Sequence, residues 1–179
     1  LAFDPVTARK RVEALPWITS AVIERRLPDT IHLRLMERRP LALWQRKGRF
    51  MLIDTAGKII PGQRLDGFSN LIVVVGPDAP RHAARLFDIL ASHPPLARRV
   101  KAAVRIGGRR WNLHMDNNIQ VRLPERDLAA AWSYLAELER RHGLLAKDVT
   151  AVDLRLPDRV IVRPAKRATD KESGPERDT

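Results

Sequence analysis

The chain has 179 residues, of which 44% are apolar and 30% charged, the composition of a folded protein with a substantial core and a water-facing surface. It contains no cysteine, which excludes disulfide bonds and thiolate metal sites, and no apolar run long enough to span a bilayer. The formal net charge of +12 favours an acidic protein partner, an anionic membrane surface or nucleic acid.

The first forty residues predict a helix followed by a β-hairpin. Asp4 and Pro5 are a typical helix start, and Pro16 ends the helical pattern. From residue 21 the apolar period changes to two, and residues 27–30 have the composition of a turn. We expect the core of this module to contain five apolar residues, namely Leu15, Trp17, Ile23, Leu33 and Leu35.

Pro40 marks a domain boundary, because proline cannot continue a central strand. Four short apolar segments beyond it predict strands at residues 41–45, 50–54, 59–60 and 71–75. Asp78 is expected to cap the next helix, and His93-Pro94-Pro95 to end it. The apolar face of that helix is formed by Ala83, Leu86, Phe87 and Leu90.

Strands alternate with one more helix in the second half of the chain. Residues 103–106 and 111–115 flank a Gly-Gly turn, and residues 119–123 form another strand. The clearest helical stripe follows and ends at Gly143, which is a C-cap residue. Its members are Leu128, Ala131, Trp132, Leu135 and Leu138. The last predicted strands cover residues 149–155 and 160–163.

These elements predict an α+β fold with three parts. Residues 1–38 form a helix-plus-hairpin module, and residues 39–164 form a mainly antiparallel β domain with two helices. Residues 165–179 are a polar tail, in which basic and acidic side chains cancel and which we expect to be disordered. The positive excess therefore lies on the folded body of the protein.

The residue types that carry chemistry do not form a catalytic or metal-binding pattern. No two histidines have the i, i+4 spacing of helical zinc ligands, and the serines lack a nucleophile-elbow context. Gly107 and Gly108 lack the lysine of a phosphate-binding loop, and Asp153 with Arg155 is typical of a surface ion pair. The sequence predicts no enzyme, no metal site and no cofactor.

Nucleic-acid binding is an alternative that the charge alone would favour. Arginine outnumbers lysine, which suits phosphate contacts. No strand shows the paired exposed aromatic residues of a base-stacking sheet, however, and all four tryptophans fall in apolar patterns typical of a core. We expect any binding to nucleic acid to be weak and strongly salt-dependent.

Residues 12–44 resemble the segment that joins the POTRA domain to the β domain in the FtsQ/DivIB cell-division proteins. The resemblance is carried by Leu15-Pro16-Trp17, the turn from Arg26 to Thr30, Glu37-Arg38-Arg39-Pro40, Ala42 and Trp44. Residues 50–60 and 149–164 resemble two further blocks of the family. A POTRA domain runs strand, helix, helix, strand, strand, so residues 1–38 correspond to its C-terminal part, without the first strand and first helix.

The resemblance implies a non-enzymatic divisome component anchored in the inner membrane by a single segment absent from this sequence, with the present part in the periplasm. The implied partners are FtsB and FtsL. A different class, a POTRA module of outer-membrane protein assembly, stays open as an alternative, although such modules usually occur as tandem repeats and no second copy is visible.

A partner-binding site is predicted at the end of the folded part. A final strand followed by Pro164 has no later element to pair with, and an open edge offers backbone groups to a partner strand. The resemblance implies FtsB binding at the same place. The candidate residues are Leu156, Asp158, Arg159, Val160, Ile161, Val162 and Arg163.

Overall fold

The computed structural model describes residues 4–62, 64–156 and 158–165 of the chain. The polar tail predicted for residues 165–179 lies, apart from Ala165, outside these described residues. The fold is α+β, as the sequence predicts, with a small helix-plus-hairpin unit followed by a large sheet.

The first unit, called here the hairpin module, consists of helix α1 (Pro5–Glu13) and the antiparallel strands β1 (Ile18–Arg26) and β2 (Thr30–Glu37). The helix begins as expected, because the Asp4 carboxylate accepts hydrogen bonds from the N–H groups of Val6 (3.0 Å) and Thr7 (3.2 Å). The two strands form a separate two-stranded sheet.

The expected core of the hairpin module is wrong for three of its five residues, while Trp17 and Ile23 are half-buried. Leu15, Leu33 and Leu35 are 55%, 47% and 44% exposed, whereas the buried residues are Ile18 and Ala21. The physical reason is that α1 packs along β1 and makes no extensive contact with β2 among the described residues. Alternation correctly predicts two strands here, but it does not say how much of either face is covered.

The second unit is a nine-stranded mixed sheet, called here the large sheet. Its strands are β3 (Pro40–Arg46), β4 (Arg49–Asp54), β5 (Ile59–Ile60), β6 (Val73–Val75), β7 (Val100–Ile106), β8 (Arg110–Met115), β9 (Gln120–Arg122), β10 (Val149–Asp153) and β11 (Ile161–Pro164). Their spatial order is β11-β10-β9-β8-β7-β6-β3-β4-β5. Most neighbours are antiparallel, as predicted.

Three neighbouring pairs of the large sheet are parallel, namely β3 with β6, β6 with β7, and β9 with β10. Parallel neighbours need a crossover connection, and helices supply two of the three. Helices α2 (Ala79–Ala91) and α3 (Pro94–Ala97) connect β6 to β7, and α4 (Leu128–His142) connects β9 to β10. The Pro94-Pro95 pair therefore ends α2 and also begins a short helix.

The main core lies between these helices and one face of the large sheet. A single row of residues crosses the strands in register and faces the helices, and its members are Trp44, Val74, Ala103, Leu113, Val121 and Val152. All six are buried, and α4 adds Trp132 and Leu135 to them. Gly143 ends α4 in the left-handed conformation, as predicted.

Asp78 does not cap α2 with its side chain. It precedes the helix as expected, but no side-chain capping bond is present, and its carboxylate instead accepts a hydrogen bond from Arg105 on β7 (3.0 Å). Arg105 on β7 thus takes the place of the first N–H groups of α2 as the hydrogen-bond donor to the Asp78 carboxylate. This exchange fixes the start of α2 to the sheet.

Candidate partner-binding edge

Strand β11 is the terminal strand of the large sheet. It begins at Ile161 and ends at Pro164, so Val160, which the predicted strand included, and the candidate residue Arg159 lie in the segment before it. β11 pairs with β10 on one side, and no strand within residues 4–62, 64–156 and 158–165 pairs with its other side. The strand therefore has a free edge.

The backbone of Val162 points toward this free edge. Leu154 donates its N–H to the carbonyl oxygen of Arg122 on β9. Backbone groups of alternate residues point the same way, so those of Val152 also point toward β9, and those of the residues on either side of Val152 point toward β11. At the end of β11, Ala165 donates its N–H to the carbonyl oxygen of Asp148. By the same alternation, the backbone groups of Arg163 and Ile161 point toward β10. Both observations leave the N–H and C=O groups of Val162 facing away from the sheet.

Pro164 fits the same pattern. Two residues beyond Val162, its nitrogen lies on the outward side, where a missing N–H removes no bond to β10. Proline at this place is typical of an edge strand and limits how far another strand can continue along it. The outward donors near β11 are therefore concentrated at Val162 and the preceding segment.

Side chains of β11 alternate between the two faces of the sheet. Val162 lies opposite Val152 on the face of the core row but is 37% exposed, whereas Val160 is partly buried against the main core. Ile161 lies opposite Asp153 on the other face and is 51% exposed, and Arg163 on that face is also exposed. The edge thus combines apolar anchors with an accessible arginine.

The other candidate residues lie in the connection from β10 to β11. Asp158 and Arg159 are both exposed and form an ion pair with hydrogen bonds of 3.1 and 2.7 Å. The Arg159 hydrogen bond holds the pKa of Asp158 below its ordinary value. Leu156 is 46% exposed. It is the first sign of an apolar surface beside the edge.

Leu156 lines a cleft of about 740 Å³ between the end of β10 and the start of α4. Its apolar wall also contains Leu154, Ala130, Ala131 and Tyr134, and its rim carries charged groups. Tyr134, the only tyrosine of the chain, is half exposed. The cleft adjoins the segment that leads into β11, so a strand bound at the edge would reach it with its next residues.

A second cleft, of about 650 Å³, continues along the same end of the sheet toward α2. It shares Glu125, Arg126 and Asp127 with the first cleft. Four arginines and one histidine line it around the Trp111 ring, namely Arg85, Arg105, Arg109, Arg126 and His82. The positive charge of this cleft is partly balanced, because Glu125 and Asp127 line it as well.

Ion pairs organise the charges at this end. Arg155 donates to Asp153 (2.8 and 3.0 Å), and this hydrogen bond, working against burial, lowers the pKa of the Asp153 carboxyl. Burial raises the pKa of Asp78, but hydrogen bonding and charge from Arg105 outweigh it and leave that pKa lowered. The Asp153–Arg155 pair thus has the structural role that the sequence predicted.

Two other kinds of functional feature are absent from residues 4–62, 64–156 and 158–165. Within that part of the chain, no three histidine or acidic side chains lie close enough together to hold a metal ion. Over the same described ranges, no helix combines the length and the apolar composition that crossing a membrane requires.

The predicted site residues are all near the free edge, but the sequence missed the residues of the adjoining cleft. Tyr134, Ala130 and Arg126 lie more than twenty residues before β11, and only the parallel pairing of β9 with β10 brings them beside it. The one available signal was Tyr134, an aromatic residue next to, but outside, the apolar stripe of α4.

Two family descriptions match the chain. Residues 42–155 match "Cell division protein FtsQ/DivIB, C-terminal", and residues 1–38 match "POTRA domain, FtsQ-type". The first match covers more than half of the chain. The chain belongs to the FtsQ/DivIB family of cell division proteins, which confirms the family resemblance predicted from the sequence.

Curated proteins called cell division protein FtsQ are similar to nearly the whole chain. The one from Rhizobium meliloti is 40% identical over 163 residues, which are 91% of this chain and 53% of that protein. The one from Rhizobium radiobacter is 40% identical over 171 residues, 96% of this chain and 81% of the relative. The chain thus spans about half the length of the Rhizobium meliloti relative.

Among solved structures, the major extracytoplasmic domain of the cell division protein DivIB from Geobacillus stearothermophilus is similar to part of the chain. The sequences are 19% identical, the TM-score is 0.40, and the likeness covers 59% of this chain and 95% of that one.

Proposed function

We propose that this chain is the periplasmic part of a single-pass inner-membrane division protein that binds FtsB, and through it FtsL, without catalysing a reaction. Membership of the FtsQ/DivIB family supports a role in cell division. The binding mode that we propose is strand addition, in which a segment of FtsB pairs with β11 and extends the large sheet.

The observation that carries this proposal is the outward backbone of Val162 at the free edge of β11. An unpaired N–H and C=O at a sheet edge are a template for another strand. β11 already pairs with β10 and Val160 is partly buried against the main core, so the edge is held in strand geometry before a partner arrives. Little ordering entropy is then lost on the side of this chain.

The cleft lined by Leu156 and Tyr134 supplies specificity in this proposal. Backbone pairing along β11 is independent of sequence, whereas a cleft of about 740 Å³ with an apolar wall accommodates one or two large side chains. The partner strand would therefore carry an apolar anchor next to its paired residues. Acidic side chains beside that anchor would meet Arg159 and Arg163, which are exposed.

The test is a titration of the periplasmic part of FtsB into the purified chain and its variants by calorimetry. Val162→Pro removes the outward N–H, and we expect the dissociation constant to rise at least about tenfold, or 1.4 kcal/mol. Val162→Ala is the matched control, because it shortens the same side chain but keeps the N–H. Equal binding by the proline variant and the alanine variant, both folded, would exclude strand addition at β11.

Charge is tested separately with Arg159→Glu, for which we expect a similar loss of affinity and a weaker dependence on salt. Arg81→Glu is the control, since it makes the same charge change on α2, which packs against β3 and β6 rather than β11. If both variants weaken binding equally, net charge rather than the β11 edge is responsible. If neither does, Arg159 does not contact FtsB.

A further inference from the structure

The hairpin module is joined to the large sheet through few contacts. Among the described residues, α1, β1 and β2 make extensive contacts only with one another. Joints this small usually allow the two parts to move relative to each other. The two units are therefore held together mainly by the contacts of individual side chains, chiefly those of Arg38 and Trp17.

Arg38 lies between β2 and β3 and bonds to both units at once. Its Nε donates to the carbonyl oxygen of Pro16 in the hairpin module (3.0 Å), and its Nη1 donates to Oδ2 of Asp54 at the end of β4 (2.6 Å). Its backbone N–H donates to the carbonyl of Trp17 (2.7 Å). A rotation of one unit against the other would break at least one of these bonds.

The ion pair of Arg38 and Asp54 is shielded from water. The Arg38 side chain is 16% exposed and that of Asp54 is 6% exposed. Asp54 is fixed in turn, because its Oδ1 accepts from the N–H groups of Ala56 (2.9 Å) and Lys58 (2.8 Å) in the turn before β5. The Arg38 guanidinium group therefore donates to a carboxylate whose position is fixed by its other hydrogen bonds.

Trp17 supplies the apolar half of the joint. Its ring stacks on Phe68, with centroids 6.3 Å apart, and packs against the small core of Leu43, Leu52 and Ile60 on the second face of the large sheet. Ring stacking and apolar contacts have little directional preference compared with a two-armed arginine. Trp17 therefore attaches the module but does not define its angle.

We infer that Arg38 is a lock that holds the hairpin module at one fixed angle to the large sheet through its bonds to Pro16 and Asp54. This device is independent of the proposed FtsB edge, since β4 and β11 lie near opposite ends of the large sheet. With the lock closed, the two units move as one body. Without it, the module stays attached through Trp17 but samples a range of angles.

Spin-label distance measurements test the lock, and the absence of cysteine makes site-specific labelling simple. One label is introduced by His32→Cys on β2 and the other by Asp88→Cys on α2, both exposed positions. We expect a narrow distance distribution in the otherwise unchanged chain. Arg38→Gln should broaden it by about twofold or more, as expected for an interdomain joint that has lost its fixed contact.

Asp54→Asn is the second variant, because Oδ1 can still accept from Ala56 and Lys58 while the group facing Arg38 no longer accepts. Arg39→Gln is the matched control, since Arg39 is the exposed neighbour of Arg38. A second label pair within the large unit, Asp88→Cys with Lys147→Cys, reports whether each variant is folded. The inference is overturned if the parent distribution is already broad, or if a folded Arg38→Gln or Asp54→Asn variant stays as narrow as the parent.

Discussion

Arg105 and Asp78 join the hairpin of β7 and β8 to the start of α2 through an ion pair with a hydrogen bond of 3.0 Å. The Arg105 guanidinium also donates to the carbonyl of Gly108 (2.7 Å) and lies 5.2 Å from the centre of the Trp111 ring. Its side chain is only 9% exposed. Arg105 thus pairs with Oδ2 of Asp78, while Oδ1 is buried without a hydrogen-bond partner among the described residues.

Removal of this arginine should destabilise the chain clearly. Arg105→Met leaves the Asp78 carboxylate with a lost charged hydrogen bond, which costs roughly 2–3 kcal/mol. Arg109→Met is the control on the same hairpin, because Arg109 is 63% exposed and 3.8 Å from Glu125, and we expect about 0.5 kcal/mol or less. Urea unfolding of both variants measures the difference. Equal values would show that the Arg105–Asp78 pair adds no stability.

The turn between β4 and β5 needs a glycine at residue 57. A Cβ atom there would lie 2.4 Å from the carbonyl oxygen of Pro80, and the residue has a φ of +73°. Gly57→Ala should therefore cost the strain of the left-handed conformation and also displace the start of α2, together on the order of 2–4 kcal/mol.

Gly48→Ala separates these two causes. Gly48 has a similar φ of +76°, but no atom lies within 4 Å of its added Cβ. We expect only the conformational cost, about 1 kcal/mol. Thermal unfolding of the two alanine variants gives the comparison, and a Gly57→Ala variant as stable as Gly48→Ala would mean that α2 does not approach the turn as closely as described.

Low pH should destabilise the chain through Asp54. Burial raises the pKa of its carboxyl, but the Lys58 amide, the Arg38 hydrogen bond and the Ala56 amide outweigh burial, and the pKa is lowered from 3.8. A group with a lowered folded pKa stabilises the protein above its unfolded pKa, and this stability is lost as pH falls through the folded value. The melting temperature should thus decrease below about pH 4.

Asp54→Asn should make the melting temperature depend less on pH below about pH 4, since the amide does not titrate. Asp78 and Asp153 also have lowered pKa values, so a smaller slope remains in the variant. Melting temperatures between about pH 7 and about pH 2.5 are the measurement. An unchanged slope below pH 4 would show that Asp54 is not an important part of the acid response.

The exposed leucines of β2 should tolerate substitution better than core residues. Leu35→Ala removes a side chain that is already 44% exposed, and we expect a loss near 1 kcal/mol. Leu113→Ala in the fully buried row should cost roughly 2–5 kcal/mol. Denaturant unfolding distinguishes the two, and similar losses would mean that the open face of the hairpin module is covered in solution.

Local patterns in the sequence predict the elements that depend on local physics. The stripe of α4 and its end at Gly143, the Asp4 cap and the turn between β7 and β8 are all present. Burial of a face depends on what packs over it, so Leu33 and Leu35 were predicted as core although they are exposed. In the same way, Asp78 was predicted as a cap because its partner Arg105 is distant in sequence.

The candidate site also has one part that local sequence predicts and one part that depends on contacts distant in sequence. The free edge of β11 follows from its place before Pro164, and the sequence predicts it. The cleft beside it, with Tyr134 and Leu156, requires the β9–α4–β10 crossover and the parallel register of its strands. A short strand such as β9 carries too little pattern of its own to identify its neighbour.

Amide hydrogen exchange at Val162 tests the central proposal most directly, because it reads the backbone group that strand addition would pair. In the chain alone, the Val162 N–H faces away from β10 and should exchange readily. With the periplasmic part of FtsB at saturation, we expect its exchange to slow by at least about tenfold, or 1.4 kcal/mol. Saturated binding of FtsB that leaves the exchange of Val162 unchanged would contradict strand addition at β11.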